Sequence, residues 1–96
     1  RLSRIDTPEI KSHMLLEKRK ASAIRDKLKT MLLGKIITIE CGEFDKYGRI
    51  LAEIIYDKQN INDWLLKKGY ALPYGGGTKS LWTENILNAI KLDTSF

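Results

Sequence analysis

Between Leu15 and Leu33 the apolar residues Ala21, Ile24, Leu28, Met31 and Leu32 recur at offsets of three and four, with lysine and arginine on the remaining faces. That spacing lines them along one stripe of a 3.6-residue period and predicts an amphipathic helix over 15–33. Gly34 stands where a left-handed residue ends a helix, and Lys27 and Lys29 suit the negative end of its dipole. Beyond Gly34 the pattern changes. "KIITIEC" (35–41) and "RILAEIIY" (49–56) are strand-length runs rich in β-branched residues, and "GEFDKYG" between them supplies the turn formers Gly42, Asp45 and Gly48. This predicts an antiparallel hairpin with a long loop. After the connection "DKQN", residues Ile61, Trp64, Leu65 and Leu66 make the apolar face of a short helix that Gly69 closes. "TENILNAIKLD" (83–93) predicts a last helix capped by Thr83, with Ile86, Leu87 and Ile90 turned inward.

A chain of 96 residues has room for one domain and not for a second core. Its 43% hydrophobic and 30% charged residues are those of a folded globular domain rather than a disordered segment. A formal net charge of +5 and a pI near 9.4 turn the expectation toward a polyanionic partner, because clustered Lys and Arg draw in phosphates by field and by counterion release. No stretch is long and apolar enough to span a membrane. The single cysteine, Cys41, excludes an internal disulfide framework and a CxxC metal pair, and within its apolar run it is expected to be buried and inert. His13 in "KSHM" is expected to be solvated, and Trp64 and Trp82 to pack in the core rather than stack on bases. "GGGTKS" (75–80) lacks the spacing and the preceding strand of a P-loop and is expected to be a plain flexible turn.

Two short stretches carry the candidate chemistry. In "RLSRIDTPEI", Thr7-Pro8-Glu9 by itself suits a helix start or a turn, since threonine can cap, proline presets φ and a carboxylate faces the positive end of the dipole. In "DKYGR", Asp45 opens a turn and Gly48 closes it. Taken together, Arg1 with "IDTPE", a basic helix ending in "LLGK", a strand, "DKYGRILAEIIY" and "INDWLLKKGYA" closely resemble the staphylococcal nuclease-like family, the thermonucleases. The resemblance runs from Arg1 to about Tyr74, in order and at compatible spacings. It implies an α+β fold, an OB-type β-barrel with helices. It implies that Arg1 and Arg49 grip phosphate and that Glu9 activates or positions the attacking water. Asp6 by its side chain and Thr7 by its backbone carbonyl are implied to contribute to a calcium site. Lys46 and Tyr47 match positions near the terminal phosphate of a bound nucleotide, and Tyr74 a nucleotide-contacting tyrosine.

These residue types suit that chemistry. Phosphodiester hydrolysis builds negative charge in its transition state, which guanidinium forks match at two oxygens at once without ever deprotonating. A hard cation polarises the phosphoryl group, and a carboxylate one water away from phosphorus can take the proton.

The arginine that Arg1 matches lies near the end of the third strand of the family's barrel. Residues 1–96 are therefore expected to be the C-terminal two-thirds of a single domain that lacks its first strands and an upstream acidic ligand. The missing N-terminal strands of the same protein are then an expected partner, beside DNA or RNA. Calcium takes about six to eight oxygens, so Asp6 and Thr7 alone are expected to bind it weakly and the excerpt to cleave weakly or not at all. The leading expectation is a calcium-dependent nuclease cutting DNA or RNA. The alternative is a non-catalytic module of the same fold that binds nucleic acid or protein.

Overall fold

The computed structural model describes residues 1–77, 79 and 81–92. Its elements run β1 (Ile5–Asp6), α1 (Leu15–Leu32), β2 (Thr38–Phe44), β3 (Ile50–Tyr56), β4 (Gln59–Asn60), α2 (Ile61–Lys67), β5 (Leu72–Pro73) and α3 (Glu84–Asn88). The mixture of helices with antiparallel sheets is the expected α+β class.

Helix α1 lies where the periodicity puts it, but Thr7-Pro8-Glu9 does not start it. Those residues are irregular and lead into a turn in which the Ser12 amide donates to the Glu9 carbonyl at 3.3 Å, so the turn alternative holds. The helix start is satisfied locally instead: Ser12 Oγ accepts from the Met14 amide at 3.1 Å and donates to Glu17 Oε1 at 2.9 Å. At the other end Leu33 is extended, Gly34 has φ +75°, and the Lys35 amide donates to the Leu32 carbonyl at 3.0 Å. This is a type II turn, whose third residue needs the positive φ that glycine adopts without strain.

The hairpin forms, with its first strand displaced from the expected 35–41 to Thr38–Phe44. Cys41 faces Ala52 and Phe44 faces Ile50, so one extra residue of β2 is taken up by a bulge between them. The expected long loop thereby shortens to a tight turn after Phe44. A second hairpin follows at once: Asp57 and Lys58 have φ +50° and +64°, and Tyr56 pairs with Gln59 across them. Two positive φ values in a two-residue loop are the type I′ geometry, reached here without a glycine.

Residues before β1 join this sheet. Ser3 donates to the Ala52 carbonyl and Ala52 to the Arg1 carbonyl, both at 2.8 Å, which lays the start of the chain parallel to β3. Arg4, at φ +68°, then turns the chain so that Ile5 and Asp6 pair with Pro73 and Leu72. Its guanidinium bonds Glu53 and, at 2.8 Å, Asp63, holding the Glu53 carboxyl below the ordinary carboxylate range, with Asn60 donating as well. The result is a three-stranded sheet ordered β2-β3-β4 and a two-stranded ribbon of β1 and β5. Among the described residues these strands close no barrel.

Helix α2 docks on the sheet through Asn62, which has no exposed surface. Asn62 Oδ1 accepts from the Ile54 amide at 3.2 Å, while Nδ2 donates to the Ser3 and Ala52 carbonyls at 3.0 and 3.1 Å. Asn60 caps the helix by accepting from the Asp63 amide at 3.0 Å. A Schellman motif ends it, with Tyr70 donating to Leu65, Gly69 to Leu66, and Gly69 at φ +77°.

The core gathers Ile24 and Met31 of α1, Ile61, Trp64 and Leu65 of α2, and Ile5, Tyr70, Trp82, Leu87 and Ile90. Trp64 and Trp82 are buried as expected, and Trp64 meets Tyr70 edge-on at 5.5 Å between ring centres. Helix α3 starts at its Thr83 cap but ends at Asn88, short of the expected 83–93, whose last residue lies outside the described ones. Thr78 and Ser80 of the expected loop 75–80 also lie outside them. Every residue of β2 is exposed, and this corrects the expectation for Cys41. The strand has a partner on β3's side alone among the described residues, and no helix covers its face. Ile36, Ile39 and Phe44 are exposed with it. His13 is exposed as expected. No helix among the described residues is long and apolar enough to cross a membrane.

Candidate functional site

Strand pairing, not proximity in sequence, brings the two candidate arginines together. The Arg1 backbone is bonded to β3 twice: its amino group donates to the Ile50 carbonyl at 3.2 Å, and its carbonyl accepts from the Ala52 amide at 2.8 Å. Arg49 immediately precedes that strand. Two adjoining clefts therefore share Arg1, Leu2 and Arg49 in their walls. One, of about 290 Å³, is also lined by Lys46, Tyr47 and Tyr74. The other, of about 280 Å³, is also lined by Thr7 and Glu9.

Each arginine lies over a tyrosine ring. The Arg1 guanidinium is 5.4 Å from the centre of Tyr74, and that of Arg49 is 5.3 Å from Tyr47, which Lys46 also approaches at 5.4 Å. Such contacts fix a long cationic side chain while leaving its N–H groups free for an anion.

Asp45 builds this part of the site. Its Oδ1 accepts from the Tyr47 and Arg49 amides at 2.8 and 2.9 Å, which folds the turn, and its Oδ2 accepts from Arg49 Nε at 2.8 Å, which aims the guanidinium. Desolvation pushes the Asp45 carboxyl up, but these two amide bonds and the guanidinium outweigh it and hold the carboxyl below its ordinary value of 3.8.

Asp6 sits behind the clefts rather than in their lining. It is 5% exposed, and its Oδ2 accepts from the Trp82 indole N–H at 3.1 Å. Its Oδ1 is buried without a hydrogen bond, and Arg1 Nη2 is likewise buried without one. These two atoms stand 3.8 Å apart. Lys79 Nζ lies 3.2 Å from Asp6 Oδ1 and 3.5 Å from Glu9 Oε1, so the two carboxylates flank one small gap with an ammonium in it. The Glu9 side chain is exposed, while its backbone amide donates to Glu17 Oε2 at 2.7 Å, which ties the Thr7–Glu9 segment to α1.

Among the described residues, no three Asp, Glu, His or Cys side chains converge as metal ligands. The orphaned Asp6 Oδ1, which shares Lys79 with Glu9, nevertheless suits a hard cation, since a carboxylate oxygen is a hard donor. Carbonyls such as that of Thr7 and water would have to complete its shell.

All of the sequence-derived candidates are thus gathered at this end of the molecule. Arg1, Thr7, Glu9, Lys46, Tyr47, Arg49 and Tyr74 line the paired clefts, and Asp6 backs them. Sequence reading missed four contributors: Asp45 as the residue that aims Arg49, Glu17 as the anchor of Glu9, and Trp82 and Lys79 as partners of Asp6. A signal existed for Asp45, an acceptor at the start of a turn and four residues before Arg49. None existed for Trp82, which is 76 positions from Asp6.

The family model described as Staphylococcal nuclease homologue matches residues 1–89. An uncharacterized 38.1 kDa protein of Capnoides sempervirens is 35% identical over 88 residues, covering 88% of this chain and 24% of that protein. An uncharacterized endonuclease of Escherichia coli is 32% identical over 75 residues, covering 77% of this chain and 45% of that protein. The chain thus spans about a quarter of the first relative and under half of the second.

Proposed function

This chain belongs to the staphylococcal nuclease homologue family, and on that footing we propose that its paired clefts hydrolyse phosphodiester bonds of DNA or RNA as part of a calcium-dependent nuclease. The name of the Escherichia coli relative, an endonuclease, supports the same reading. The observation that carries it is the state of Arg1. Its side chain is 15% exposed, yet Nη2 has no acceptor. A buried guanidinium N–H left unbonded costs free energy that an incoming phosphate oxygen recovers.

A phosphate seated between Arg1 and Arg49 receives two guanidinium forks, and their attraction grows as charge builds on the non-bridging oxygens. Asp45 keeps the Arg49 fork aimed before substrate arrives, so little reorganisation is needed during the reaction. Glu9, in the wall of the same cleft as both arginines, takes the proton of the attacking water. Tyr47 and Tyr74, with Lys46, receive the flanking nucleotide by stacking and charge. Asp6 and the Thr7 carbonyl would hold calcium, which when bound would supply Lewis-acid polarisation of the phosphoryl oxygen.

The exposed apolar face of β2, with Ile36, Ile39 and Phe44, supports the expectation of an OB-type barrel closed by further strands. A functional test is Glu9→Gln, which keeps the shape and removes the base. In a version of the protein that carries the further strands, cleavage of a defined oligonucleotide is expected to fall by about a hundredfold or more while the melting temperature stays unchanged. Unchanged cleavage would favour the alternative, a module that binds nucleic acid or protein without cutting.

A further inference from the structure

Lys79 lies outside every motif by which the sequence resembles its family, yet its ammonium occupies the most charged point of the site. Nζ stands 3.2 Å from Asp6 Oδ1 and 3.5 Å from Glu9 Oε1. It also lies 5.6 Å from the centre of the Tyr74 ring, the ring that Arg1 covers at 5.4 Å. The gap is built for a cation. Asp6 is 5% exposed, Trp82 holds its other oxygen, and Oδ1 receives no hydrogen bond from any described residue, Lys79 included. The Lys79 contact is thus a pairing of charges without a directed bond, on a side chain that is 38% exposed.

We propose that Lys79 is a tethered monovalent cation that holds the gap between Asp6 and Glu9, so that a divalent ion binds only by displacing it. The inference rests on the proposed reading of Asp6 as a ligand of the cation, with the Glu9 carboxylate beside it. Arg1 Nη2 already stands 3.8 Å from Asp6 Oδ1, so Lys79 adds a second positive charge beside the two carboxylates, and an arriving ion meets that ammonium where it must sit. With Lys79 displaced, its four-carbon stem keeps the ammonium close to the cleft, where the Tyr74 face and an incoming phosphate both attract it. Metal affinity in this protein is therefore set by a residue that is not a ligand, and nucleic acid that draws Lys79 away favours the divalent ion.

Terbium(III) tests this directly, because Trp82, bonded to Asp6, is placed to sensitise its luminescence. The protein is titrated with Tb³⁺ in the absence of nucleic acid, and the bound ion is then competed off with Ca²⁺. Lys79→Met and Lys79→Gln are each expected to tighten Tb³⁺ binding by about tenfold or more, and Lys79→Arg, which keeps the charge, to stay within about twofold of the parent. Asp6→Asn is expected to abolish the sensitised signal. The proposal is overturned if Met and Gln bind Tb³⁺ no more tightly than the parent, if Arg tightens binding as much as Met, or if no variant gives a sensitised signal. Circular dichroism confirms that each variant is folded, and two neutral substitutions guard against the failure of one. Because the titration contains no substrate, tighter binding in a protein that cuts nothing would leave this proposal standing and remove the nuclease reading. Unchanged binding in a protein that cuts would do the reverse.

Discussion

Replacing Asn62 by alanine attacks the joint that holds the site to the fold. The fully buried amide bonds three backbone groups on two segments: the Ile54 amide, the Ser3 carbonyl and the Ala52 carbonyl. Ala52 O keeps its bond from the Ser3 amide after the change, at 2.8 Å. The Ile54 amide and the Ser3 carbonyl lose their Asn62 partner. Each such group left unpaired costs about 1–3 kcal/mol, and the truncated side chain leaves a small void, so a total of roughly 2–5 kcal/mol is expected. Urea denaturation of parent and variant reads this as a lower midpoint at unchanged slope. Amide exchange at Ser3 and Ala52 should quicken more than exchange within α1, because the Arg1–Ser3 segment loses its clamp before the helix does. A loss below about 1 kcal/mol, or uniform exchange across the chain, would refute the view that Asn62 ties the Arg1 segment to the sheet.

The Asp45 carboxyl is expected to titrate below 3.8 by carbon-detected NMR. Its folded value is depressed, so its contribution to the turn is complete above the ordinary carboxylate value and disappears as the pH falls through the depressed one; a midpoint at or above 3.8 would contradict the hydrogen-bond account. Trp82→Phe keeps the buried ring but removes the N–H that serves Asp6 Oδ2, leaving a buried carboxylate with two unbonded oxygens. It should cost about 1.5–3 kcal/mol in urea denaturation, and a loss below about 0.5 kcal/mol would mean that the indole bond contributes little.

Much of this was legible in the sequence, and the failures have physical causes. Helix α1 and its Gly34 stop follow from spacing and from the one residue type that takes a positive φ freely. The first strand of the hairpin was displaced because Gly42 and Glu43 have little intrinsic strand preference, yet the ladder and its bulge carry them to Phe44. The Asp57-Lys58 turn was missed because its type I′ geometry usually advertises itself by an Asn-Gly or Asp-Gly pair. Strands β1 and β5 are two residues each, too short for any period to show. Cys41 was misjudged because composition cannot say which strand of a hairpin stays uncovered. In the site, the residues of the two short motifs come to one end of the molecule, and Lys46, Tyr47 and Arg49 lie on a turn, as the pattern of Asp45 and Gly48 implies. The partners of Asp6 come from the far end of the chain, and only folding brings them to it.

The central claim, that the arginine pair acts on phosphodiesters, is tested most directly by Arg49→Ala. The measurement, on a version of the protein that carries the further strands, is single-turnover cleavage of a labelled oligonucleotide with calcium, beside equilibrium binding of the same strand and a melting curve. Half of the Arg49 side chain is already in solvent, so melting should be almost unchanged. Binding should weaken modestly and the cleavage rate should fall by about a hundredfold or more, the scale of losing one charged contact made chiefly in the transition state. Cleavage at the parent rate with weakened binding would contradict the account and leave Arg49 a docking residue alone.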